Sequence, residues 1–210
     1  MPLPPTTTPD WFGRLPEFSP RPGHRVVIVD NQILSYYLID GKRDDPGSVF
    51  LMEDPRIIVQ IGRQVINETL HSVGVADKWD EPDGRGGMRR VVVPGPGLPP
   101  ALHRIMWEQM TALVARDKLV LAGLAQMTME QRIRYDVLGP LIASVSGGGM
   151  GELDARVAAD GLVRRIPIYS LDRAFRKAYR AALGKEPLQR CLRDYQLTEF
   201  AAHLFVGAQD

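Results

Sequence analysis

Four acidic residues stand where a carboxylate could do chemistry: Asp30, Glu68, Asp154 and Asp172. Asp30 directly follows Val26-Val27-Ile28-Val29, a β-branched run that reads as a strand buried on both faces. Asp172 ends a second apolar run, Ile166-Pro167-Ile168-Tyr169-Ser170-Leu171, and Asp154 opens the helix leading into it. Glu68 falls in a predicted helix over 62–73, at the margin of a stripe formed by Val65, Ile66, Thr69, Leu70 and Val73. Each has a plainer reading. Asp30 with Asn31 is ordinary turn chemistry, Glu68 suits a solvated helix face, and Asp154 suits the positive end of a helix dipole.

Together they suggest more. In an open α/β sheet, ligands bind outside the carboxyl ends of the strands, and Asp30 and Asp172 both follow strands. Like charges gathered there repel strongly unless a cation neutralises them. The natural partner is a hard divalent ion such as Mg²⁺, held by one or two carboxylates with waters and phosphate oxygens. Its chemistry would be hydrolysis of a phosphodiester by metal-activated water. No Ser-His-Asp or Cys-His spacing competes with this, and His24, His71, His103 and His203 are scattered.

The elements that must position these residues follow in order. Strand 25–29 leads into a helix from Asn31, the expected N-cap, to about 39. A short helix is expected at 50–53, a strand at 57–59 and the Glu68 helix after it. Residues 78–100 hold five glycines and five prolines around Arg89-Arg90-Val91-Val92-Val93, which reads as a loop or a two-stranded excursion. Its functional reading is a phosphate-gripping arm with Arg85, Arg89 and Arg90. Helix 100–116 and a short strand near 118–122 come next. Thr128 and Gln131 form a capping-box pattern ahead of a helix that Pro140 should kink or split. The glycine run 147–149 is a hinge, not a phosphate-binding loop, because no Lys-Ser/Thr follows. After Asp172 a basic helix carries Arg173, Arg176 and Lys177. The stretch 188–205 is either one helix, or a strand at 189–193 followed by a helix capped by Thr198.

Composition bounds the rest. The 210 residues suit one domain with a long insertion, and 44% hydrophobic with 24% charged is ordinary for a globular protein. The net charge of +1 neither demands nor excludes nucleic acid. Cys191 is the single cysteine, so no internal disulfide and no cysteine-rich zinc site can form. No membrane span and no basic-then-apolar leader is evident, so a cytoplasmic protein is expected. Residues 1–23 contain seven prolines and read as a tail or linker, ahead of a domain over 24–210.

Val26-Val27-Ile28-Val29-Asp30-Asn31 resembles the opening of a PIN-domain nuclease. The segment from Asp154 through Ile168-Tyr169-Ser170-Leu171-Asp172-Arg173-Ala174-Phe175 is similar to that family's C-terminal motif, with its two aspartates eighteen residues apart. Ile66-Asn67-Glu68-Thr69-Leu70 resembles its second motif. The resemblance, of the ribonuclease-toxin type, spans about 25–206. It implies a three-layer α/β/α fold with a mostly parallel sheet, Mg²⁺ or Mn²⁺ dependence and endoribonuclease activity. It further implies an acidic quartet of Asp30, Glu68, Asp154 and Asp172, metal held by Asp30, Asp154 and Asp172, and polar support from Asn31 and Ser170. A protein antitoxin and a homodimer would be the expected partners besides RNA. The Pro-rich leader, the 78–100 insertion and the glycine run depart from small members of the family. Two other readings stand beside this one: a catalytically inactive PIN-like module that binds RNA or protein, and a different α/β phosphohydrolase acting on small phosphate esters.

Overall fold

The computed structural model describes residues 8–38, 45–62, 65–66, 69, 75–82, 88–94 and 100–207. Strands β1 (Arg25–Val29), β2 (Ile57–Gly62), β5 (Leu119–Ala122), β6 (Ile168–Tyr169) and β7 (Phe205–Val206) form one sheet in the order β5-β2-β1-β6-β7. Every pairing in it is parallel. Parallel strands are covered on both faces, which is why β1 and β2 are mostly apolar, with Arg25 and Gln60 the polar exceptions, and are buried almost throughout.

Among the described residues there are eight α-helices: α1 (Asn31–Leu38), α2 (Pro46–Glu53), α3 (Pro100–Ala115), α4 (Met129–Val145), α5 (Glu152–Arg164), α6 (Arg173–Leu183), α7 (Glu186–Asp194) and α8 (Thr198–Ala202). Helix α1 packs against α2 and α3, while α4 to α8 pack among themselves. Two helical sets and one parallel sheet make the expected three-layer α/β/α architecture. The remaining strands, β3 (Val75–Pro82) and β4 (Met88–Pro94), form a separate antiparallel pair. The insertion is therefore two-stranded, and its first strand begins ahead of residue 78.

The capping box at Thr128 is present, with Gln131 N–H on Thr128 Oγ1 at 3.1 Å and Thr128 N–H on Gln131 Oε1 at 3.0 Å. Three local expectations are corrected. Helix α4 runs through Pro140 without the split that is the alternative to a kink, and it packs against α5 and α7. Asn31 is the first residue of α1 and not its cap, because Asp30 Oδ1 accepts the Ile33 N–H at 3.2 Å. Residues 189–193 are helical, and Thr198 opens α8 behind Leu197 without a side-chain cap. At 189–193 the buried Leu188 and Leu192, four apart, form a helical stripe that outweighs the strand reading. Among the described residues no helix is long and apolar enough to cross a membrane.

Candidate acidic site at the sheet's switch point

From β1 the chain moves to β2 and then β5 on one side, and later returns to β6 and β7 on the other. The topological switch point lies between β1 and β6, where a ligand crevice is expected at the carboxyl ends. Val29 and Tyr169 are register partners at those ends. The next residue on each strand is Asp30 and Ser170. Both are buried, and the Ser170 hydroxyl donates to Asp30 Oδ2.

Ser170 also accepts the Asp172 N–H on its Oγ at 3.1 Å, which folds the Ser-Leu-Asp segment back into a turn. Asp172 then caps α6, its Oδ1 accepting from Ala174 N–H at 2.7 Å and Phe175 N–H at 3.1 Å. Asp154 sits half-buried in the first turn of α5, where Gly151 supplies a backbone hydrogen bond. Three predicted acids thus come from three separated stretches to one locality.

Their electrostatics show the proximity. Burial pushes the Asp30 carboxyl up from 3.8 to about 6, with the negative charges of Asp172 and Asp154 adding to the rise. The hydrogen bonds from Ser170 and Ile33 oppose it. Asp154 is also raised, by burial first and by Asp172 second. Among the described residues no three acidic, histidine or cysteine side chains lie close enough together to form a metal-ligand group. The donor set is nonetheless chemically suited to a hard cation: carboxylate oxygens, mutually repelling, with no thiolate. Mg²⁺ typically takes one or two carboxylates and keeps several waters, so it needs no complete protein cage.

The other predicted residues divide. Glu68 and Arg85 lie outside the described residues. Arg89 and Arg90 lie on β4, in register with Glu81 and Asp80. The Asn31 side chain is engaged within its own helix, accepting from Ser35 Oγ at 3.2 Å. Arg173 and Lys177 are exposed on α6. Arg176 is not on that surface: only 3% of it is exposed, and Nη1 donates to the Ser170 carbonyl at 2.5 Å. Its place is three residues before Tyr179 and one after Phe175, both buried, so it belongs to the inward stripe of the helix. That spacing was readable; the basic run around it concealed it.

Two further features were not evident from sequence. Tyr169, at the end of β6, donates from its hydroxyl to Asp45 Oδ2 at 2.7 Å, and Asp45 also accepts the Ser48 N–H at 2.6 Å to cap α2. On α5, Asp160 pairs with Arg164 at 2.6 Å beside a cavity of about 270 Å³ that also touches Gly62 and Ala122 at the ends of β2 and β5. The four-residue spacing of Asp160 and Arg164 signals the pair, though not its burial.

A scan of the chain against protein-family models matches none, and a search of curated proteins finds no relative.

Proposed function

We propose that the protein is a metal-dependent endoribonuclease of PIN-like type that hydrolyses RNA phosphodiester bonds. The observation that carries this reading is the convergence of Asp30, Ser170, Asp154 and Asp172 on the switch point, where burial raises the Asp30 pKa and the other two carboxylates add to the rise. Asp30, Asp154 and Asp172 would hold Mg²⁺ or Mn²⁺, with Glu68 completing the acidic quartet. The ion supplies charge neutralisation at the scissile phosphate and a water acidic enough to attack it. Ser170 fixes the rotamer of Asp30, and the cap on α6 fixes Asp172. The exposed Arg173 and Lys177, on the helix that begins at Asp172, lie where RNA phosphates flanking the site can be held. A toxin restrained by a protein antitoxin is the finer form of the proposal, and it rests on the sequence resemblance alone.

Purified protein incubated with total RNA should cleave with Mg²⁺ or Mn²⁺ and stop with EDTA. Cleavage that persists in EDTA, or in the Asp30→Asn variant, overturns the mechanism. That no described group of acids is placed to hold a metal ion favours a second reading, an inactive module that binds RNA or protein. RNA binding without cleavage under either metal would decide for it.

A further inference from the structure

The opposite end of the sheet's strands carries a cavity, away from the acidic residues of the switch point. A cavity of about 520 Å³ opens at the amino ends of three neighbouring strands, where His24 precedes β1, Ile57 opens β2 and Lys118 precedes β5. Its size lies within the ordinary range for small-molecule pockets, roughly 300–1,000 Å³. The five residues of β1 separate it from Asp30 by about 16 Å at 3.3 Å per residue.

The polar groups here have unspent donors. Lys118 is 9% exposed and gives two hydrogen bonds, to the Asp54 and Ile57 carbonyls, each at 2.7 Å. An ammonium has three N–H donors, so one remains beyond these two. Among the described residues the ammonium has no carboxylate in hydrogen-bond contact, and burial lowers its pKa to about 8, with Asp54 opposing from a distance. Among the described residues, His24 Nδ1 is buried without a hydrogen-bond partner. The His24 backbone is held in a tight turn, its N–H donating to the Arg21 carbonyl and its carbonyl accepting from the Phe18 N–H. Arg116 uses Nε on the Ala112 carbonyl at 3.2 Å, which leaves the two terminal nitrogens of its guanidinium.

The acids on the lining do not cancel this. Asp117 is paired with Arg21, and Glu53 is exposed at the rim. Met52, Ile57 and Leu113 supply an apolar part of the wall. A lysine, an arginine and an imidazole around one cavity match a tetrahedral dianion. The apolar wall and the volume call for an organic body attached to it.

We propose that this cavity is a binding site for a small organic phosphomonoester of mononucleotide size, held at its phosphate by Lys118, Arg116 and His24. The site does not depend on the nuclease reading, and either can fail without the other.

The test is calorimetric titration of the full chain with AMP, inorganic phosphate and adenosine, all in EDTA so that no metal bridges phosphate to the acidic site. AMP should bind at one saturable site, more tightly than inorganic phosphate, and adenosine should not bind measurably. Arg116→Ala and His24→Ala should each weaken AMP by about tenfold, the loss of one charge-assisted contact. Arg132→Ala, exposed on α4, should leave binding unchanged. These variants are preferred to a change at Lys118, whose two backbone bonds make it structural as well. No saturable AMP binding, equal binding of AMP and inorganic phosphate, or unaltered binding in both cavity variants overturns the proposal.

Discussion

The Ser170 hydroxyl donates to Asp30 Oδ2 across 140 residues of sequence, and so ties the carboxyl end of β1 to that of β6. The bond places a carboxylate and its orienting hydroxyl at the point where the strand order reverses.

Asp30 should cost the metal-free protein stability. A carboxyl whose pKa rises on folding contributes stability at pH below its unfolded value, and that contribution is lost as pH climbs through the folded value. For Asp30 the window runs from 3.8 to about 6, and the change across it is about 3 kcal/mol. Asp30→Asn, which keeps shape and removes charge, should therefore raise the melting temperature in EDTA at pH 7.5 and change it little at pH 3. Melting curves at both pH values check this. A variant no more stable than wild type at pH 7.5 contradicts the burial of a charged Asp30.

Removing the Ser170 hydroxyl should raise the Asp30 pKa further, because its hydrogen bond favours the ionised form. Ser170→Ala also leaves the Asp172 amide without its acceptor, so a stability loss of about 1–3 kcal/mol is expected. Carboxyl NMR titration of Asp30 should show the upward displacement, and cleavage activity should need a higher pH.

Asp172 has two roles that substitution can separate. Asp172→Ala removes the cap from α6 and should cost about 1 kcal/mol in denaturant unfolding. Asp172→Asn retains a capping oxygen, so stability should be nearly kept while RNA cleavage is lost. Loss of its charge should also lower the Asp30 and Asp154 pKa values, since both are raised by it.

Arg176 and its neighbours should behave in opposite ways. Arg176→Met removes a buried guanidinium from the Ser170 carbonyl and should destabilise the fold by about 2–4 kcal/mol. Arg173→Ala and Lys177→Ala should leave stability within about 0.5 kcal/mol. Each should weaken RNA binding and reduce its salt dependence by about one counterion. Unfolding and filter-binding titrations at two salt concentrations separate the two classes.

Much of this architecture is legible in the chain itself. The β-branched runs 26–29 and 57–59 could be little other than buried parallel strands, since nothing in them is polar enough for an exposed face. Thr128 with Gln131, and Asp172 ahead of a helix, are local hydrogen-bond patterns that depend on a few neighbouring residues. Such features follow from propensity and spacing. They therefore place Asp30, Asp154 and Asp172 at the ends of their elements before any tertiary contact is known.

What sequence could not decide is which groups face one another. The inward turn of Arg176, the Tyr169–Asp45 bond and the survival of α4 through Pro140 depend on packing between distant segments. The same holds for the cavity at the amino edge, whose Lys118, His24 and Arg116 lie on separate stretches of chain. Strand order is set by which faces bury the most apolar surface together, a property of the whole chain. That order alone brought Ser170 beside Asp30, and gave a turn aspartate a buried hydroxyl, two acidic neighbours and a raised pKa.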